Sequence, residues 1–144
     1  MRKDEKKEKR YRLEVSEAQL KMIQVALESY FRIRYLQFLD LADDLVFANY
    51  DRKEDPDRSE FTRRIDRRNE TYDLLNAAGN AAMPIWMRVK KTDQCMIAED
   101  IWAVIRHELY KKENGSEENV MDVRSYSPIL ISGEEPVKLE EIDG

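Results

Sequence analysis

The chain has 144 residues, a formal charge of -5, 42% hydrophobic and 38% charged residues, one cysteine and one histidine. That length fits one domain burying about 70% of its unfolded surface; the composition argues against a disordered chain, and the charged fraction, well above the average of about 25%, demands a surface dense in both signs. Cys95 alone excludes an internal disulfide framework, and with His107 the only histidine a single chain cannot assemble a closed zinc site of Cys and His ligands.

Residues 1–10, MRKDEKKEKR, are nearly all charged and read as a disordered tail ahead of one globular domain over 11–144. No apolar segment follows these basic residues as in a signal peptide, and no apolar run approaches the ~20 residues of a membrane span, so a cytoplasmic location without membrane contact is expected. YRLEV, Tyr11 to Val15, alternates enough to be a short strand. Ser16 with Gln19 then makes a capping box, the serine oxygen accepting an orphan backbone N–H while the glutamine side chain reaches back. Apolar residues recur at Leu20, Ile23, Leu27, Tyr30, Phe31, Phe38, Leu41 and Leu45 with no Gly or Pro between, which predicts one helix over 17–47. Such a helix is roughly 46 Å long against a domain diameter below about 40 Å, so it either kinks or leaves its own domain. A second apolar set, Met22, Val25, Leu36, Leu39 and Val46, lies off that stripe. A helix apolar on most sides is buried on most sides, and a homo-oligomer through this first helix is expected.

The polar segment from Asn49 to Ser59 contains Pro56 and is a loop. A second helix begins near Arg58 or Ser59, buries Phe61, Ile65, Tyr72 and Leu75, and is ended by Gly79 and Pro84. Its small residues Ala77, Ala78, Gly79, Ala81 and Ala82 permit a close backbone approach to another helix or to a ligand, packing being the commoner reason. Pro84 to Lys91 reads as either a strand or an irregular connection. A third helix starts around Thr92 or Asp93 and stops at Asn114-Gly115. The remainder reads as short strands and turns with an acidic tail. The expected class is mainly α (α+β): three helices, the first long, with a small β element from the N-terminal strand and the C-terminal tail.

For chemistry, Cys95 and His107 are the only pair of the usual nucleophile and base type, and twelve residues along one helix separate them by roughly 18 Å. Asp43-Asp44 and Glu99-Asp100 are adjacent in sequence and therefore point about 100° apart on a helix, the wrong geometry for a general acid and base. No glycine-rich phosphate loop or HExxH motif occurs. The chain reads as non-enzymatic and free of cofactors. Arg58, Arg63, Arg64, Arg67 and Arg68 crowd one segment with only Glu60 and Asp66 against them. Such runs are most often solvated faces that pair with acidic groups, and the acidic balance of the whole chain weighs against nucleic acid.

The clearest ligand chemistry lies elsewhere. Arg34 is expected on the main apolar stripe between Tyr30 and Phe38, Arg32 on the opposite side beside Glu28 and Tyr35, and Trp102, Arg106 and Tyr110 form an i, i+4, i+8 line with His107 next to it. A planar cation held by aromatics suits a phosphate or carboxylate, and the aromatics suit a flat base. Arginine over aromatic rings with its charge in water, or paired with Asp40, Asp44 or Asp100, is the commoner structural use of the same residues. The candidate ligand residues are Arg32 and Arg106 for charge, Gln37 and His107 for hydrogen bonds, and Trp102 and Tyr110 for stacking. If His107 contributes, binding weakens above about pH 7, given the reference histidine pKa near 6.5.

Three segments, YRLEVSEAQLKMIQVALESYFRI, AEDIWAVIRHELY and more loosely VRSYSPILISGEEPVKLEE, resemble a family of small proteins encoded mainly by bacteriophages and prophages of gut bacteria. The family's Tyr-x-Arg-Ile-x-x-x-Gln-Phe pattern falls on Tyr30, Arg32, Ile33, Gln37 and Phe38, and a third-helix pattern on Asp100, Ile101, Val104, Ile105, Arg106 and His107. Where the pattern has a small residue before the glutamine, this chain has Leu36. The resemblance implies a phage origin, a site of action in the host cytoplasm, and no particular activity. Small phage proteins without catalytic residues are often inhibitors of host defence, blocking a defence protein or sequestering a nucleotide immune signal between subunits. The expectation is therefore a non-catalytic accessory protein that binds and sequesters a small anionic, nucleotide-derived ligand; the alternatives are a protein-interaction inhibitor or an assembly accessory.

Overall fold

The structure, a computed structural model, describes residues 8–83, 93–115 and 121–142. Its first helix, α1 (Glu17–Arg34), opens on the capping box: Gln19 N donates to Ser16 Oγ at 3.1 Å and Ser16 N to Gln19 Oε1 at 2.8 Å. The helix does not run on to 47. It closes in a Schellman turn in which Leu36 N donates to Ile33 O (3.0 Å) and Gln37 N to Arg32 O (2.7 Å), with Leu36 left-handed at φ 58°. A non-glycine residue pays roughly 1 kcal/mol for that conformation. What offsets it is the seat of its neighbours, because Leu36 and Phe38 both bear on Gly79 of the third helix. The expected single first helix is therefore two, and α2 (Leu39–Val46) packs mainly on α3 (Ser59–Ala82) instead of extending α1.

Asp55, buried in the loop before α3, accepts from Glu60 N (3.1 Å), Phe61 N (2.9 Å) and the Tyr50 hydroxyl (2.8 Å), so it satisfies the first amides of that helix. The arginine cluster of α3 is divided. Arg64 donates to the carbonyls of Val46 (3.1 Å) and Ala48 (2.9 Å), closing the C-terminal end of α2, and Arg68 reaches Asp43 on α2 at 3.4 Å. Arg63 pairs with Glu60 on its own helix, and Arg58 lies over the Phe61 ring at 4.4 Å.

The last helix, α4 (Asp93–Asn114), ends before Gly115 at φ 76° and packs along α1. The fold is thus two helix pairs, α1 with α4 and α2 with α3, joined at the Leu36 turn. Phe31, Cys95, Ala98, Ile105, Leu109 and Tyr110 are buried on the first pair, Phe38 and Ala42 on or beside the second.

The expected β element is corrected: among the described residues there is no strand. Tyr11–Val15 has no ladder partner, although an Arg10–Glu135 ion pair brings the two terminal segments together. Two of the tail's amides are satisfied by a helix carboxylate in place of a strand, since Ile131 N and Ser132 N donate to Asp100 at 2.8 and 2.9 Å. A short 3₁₀ turn, Val123–Ser125, precedes this tie. Residues 1–7 of the charged tail, Pro84 to Lys91 and Thr92 lie outside the described residues. Among the described residues no helix is long and apolar enough to cross a membrane.

Candidate functional site

Four of the six sequence-predicted residues, Arg32, Gln37, Trp102 and Arg106, are joined, with Glu28 as the missing link, into a strip along α1 and α4. Arg32 donates through Nε to Glu28 Oε1 (2.8 Å) and through Nη1 to Gln37 Oε1 (2.9 Å), and Trp102 Nε1 donates to the other Glu28 oxygen at 3.3 Å. The Arg106 guanidinium lies over the Trp102 ring at 4.2 Å, while Phe31 meets that indole edge-on at 5.1 Å. Tyr110, buried, carries a different cation from the expected one: Arg124, at 5.3 Å. His107 stands apart from this line, with Nδ1 3.0 Å from the Arg124 carbonyl. A carbonyl only accepts, so Nδ1 carries the proton there.

The strip borders two hollows of opposite character. One, about 390 Å³, lies between α1 and α2 and is lined by Glu28, Asp40, Asp43 and Asp44 with Arg32 and Gln37. Arg32 is already neutralised in it, since its Nε lies 3.0 Å from Asp40 as well as contacting Glu28. The other, about 270 Å³, lies between α1 and α4 and is lined by Lys21, Gln24, Arg106, Tyr110, Glu113 and Arg124 among others. Three cations and one carboxylate give it the sign an anion requires.

Within that hollow the cations differ. Arg124 is held by both oxygens of Asp122, which raises its pKa and depresses that of the carboxyl. Lys21 lies 3.6 Å from Glu17 and 3.7 Å from Glu113. Arg106 has no carboxylate in contact among the described residues, and its buried Nε has no hydrogen-bond partner there. Burial pulls its pKa below the usual arginine range, Glu28 opposes that pull and Arg124 reinforces it. It stays charged at any physiological pH and is the cation whose hydrogen bonding is least complete.

The expected grouping of Arg34 between Tyr30 and Phe38 does not form. Phe38 belongs to the next element and is buried against Gly79, and Arg34 is exposed at the end of α1. Sequence reasoning also missed Lys21 and Arg124 as neighbours of Arg106. Lys21 was within reach of it, being on the capped helix, whereas Arg124 arrives from a separate segment and carries no local signal. No family model, curated protein or solved structure matches this chain.

Proposed function

We propose that the protein is a non-catalytic binder of a small anionic, nucleotide-derived ligand, taken at the hollow between α1 and α4. The observation that carries this reading is Arg106: a cation fixed on an indole face, beside two further cations, with a buried donor left open. A phosphate oxygen in the hollow meets the charge of the guanidinium, and a rotamer shift of Arg106, without movement of the helix, brings its buried Nε to the same anion. The ring faces are less free than the sequence suggests, because Arg106 covers Trp102 and Arg124 covers Tyr110. Binding therefore rests on charge and hydrogen bonds, with Gln24 and the Tyr110 edge beside a base, and it falls as salt rises. Retention without turnover is what removing a signalling nucleotide from a host cell requires, the role the phage-like segments imply.

The test is calorimetric titration of the full chain with mono-, di- and cyclic nucleotides and with inorganic phosphate. One nucleotide class binds at one site per chain and is recovered unchanged. Arg106→Ala weakens it about tenfold or more, the loss of one charged hydrogen bond, while Arg32→Ala, in the acidic hollow, does so little. If no nucleotide binds, or if Arg106→Ala binds like the wild type, the reading fails.

A further inference from the structure

α1 has a second face that the described residues leave largely uncovered. Met22, Val25 and Ile33 are 61%, 49% and 42% exposed, and with Ala18, Ala26 and Ser29 they form a stripe at i, i+3 and i+4 spacing along the helix. Along one edge of the stripe runs a line of charges in the order Glu17, Lys21, Glu28, Arg32. The signs alternate, and the midpoint between Lys21 and Glu28 coincides with the midpoint between Glu17 and Arg32, beside Val25.

That pattern is self-complementary about a two-fold axis. Placed antiparallel with the axis beside Val25, Lys21 of one copy faces Glu28 of the partner subunit and Glu17 faces Arg32 of the partner subunit. The pairs already present within each chain, Lys21 to Glu17 at 3.6 Å and Arg32 to Glu28 at 2.8 Å, then close each set of four charges into a ring. A parallel two-fold arrangement carries this charged edge to the side away from the partner's charged edge, so the four charges find no complement there, and it aligns the helix dipoles unfavourably. The small side chains at Ala18, Ala26 and Ser29 leave room for the partner helix, and Met22, Val25 and Ile33 supply the apolar area.

We infer that this face of α1 pairs, antiparallel and two-fold, with α1 of a second copy of the chain. The inference stands on α1 alone and not on the ligand reading. It does bear on that site, because Lys21 and Val25 also line the basic hollow, so the second copy sits at its rim.

Sedimentation of the full chain over a wide concentration range, with three variants, tests it. The wild type sediments as a dimer. Val25→Arg, at a half-exposed position, keeps the helical circular dichroism and sediments as a monomer. Val25→Cys, oxidised, gives a covalent dimer, and the native Cys95 does not compete because it is 1% exposed. Ile33→Cys does not self-crosslink, because in the antiparallel pair that residue lies at the far end from its copy. A monomeric wild type, a dimer that survives Val25→Arg, or crosslinking through Ile33→Cys in place of Val25→Cys overturns the inference.

Discussion

Asp100 is buried on α4 and uses both carboxylate oxygens on the tail, accepting from Ile131 N, Ser132 N and the Ser132 hydroxyl. Burial alone pushes a carboxyl pKa up, but these three donors outweigh it and hold the group below the ordinary carboxylate range. A depressed folded pKa fixes the sign: the tie contributes fully above the unfolded value near 3.9 and is lost as pH falls through the lower folded value. Asp100→Asn keeps the size and removes the charge, so urea unfolding near pH 7 shows a loss of about 1–3 kcal/mol. The gap from wild type narrows below about pH 4, where the carboxylate of the unfolded chain takes up its proton, and closes as the folded one protonates at lower pH. An unchanged gap across that range contradicts the account. Asp100 stood out in the sequence as a potential partner for an arginine, and nothing local indicated that its donors lie in the distant tail.

At the scale of elements, the turn between α1 and α2 depends on Gly79. A Cβ there falls 2.6 Å from Phe38 Cε2 and 3.2 Å from Leu36 Cδ2, and Phe38 is only 7% exposed. In an open helix Gly→Ala gains about 1 kcal/mol. Here the ring has to move within a packed seat, so Gly79→Ala is expected to lose about 1–2 kcal/mol net, read as a thermal midpoint several degrees lower. A higher midpoint shows that Phe38 swings aside freely. The same residues explain which elements were legible. The capping box, the start of α3 near Ser59 and the end of α4 at Asn114 follow from local rules, and the structure has them. The break at Leu36 was not legible, because helix ends are marked by glycine or proline and here a leucine is left-handed, held by a contact with a helix far along the chain. The β element misled for a related reason: alternation in Tyr11–Val15 reports a strand's preference, while a strand also needs a partner, and Asp100 takes two of the tail amides that a ladder would use.

At the scale of the molecule, two helix pairs give two hollows whose charges separate the two arginines proposed from sequence. Arg32 is closed by Glu28, Asp40 and Gln37, and Arg106 is left open between Lys21 and Arg124. Helical spacing made the Trp102–Arg106 stack legible, since i and i+4 meet on any helix. The sign of each hollow was not, because it depends on which carboxylates the folded chain brings alongside. The most direct measurement is native mass spectrometry of the full chain purified from bacteria and incubated with the nucleotide panel, beside the same sample denatured. The account predicts a multimer heavier than its chains by a small phosphate-bearing molecule, released on denaturation and missing from Arg106→Ala. A mass equal to the bare chains with every nucleotide offered, or the same adduct on Arg106→Ala, contradicts it.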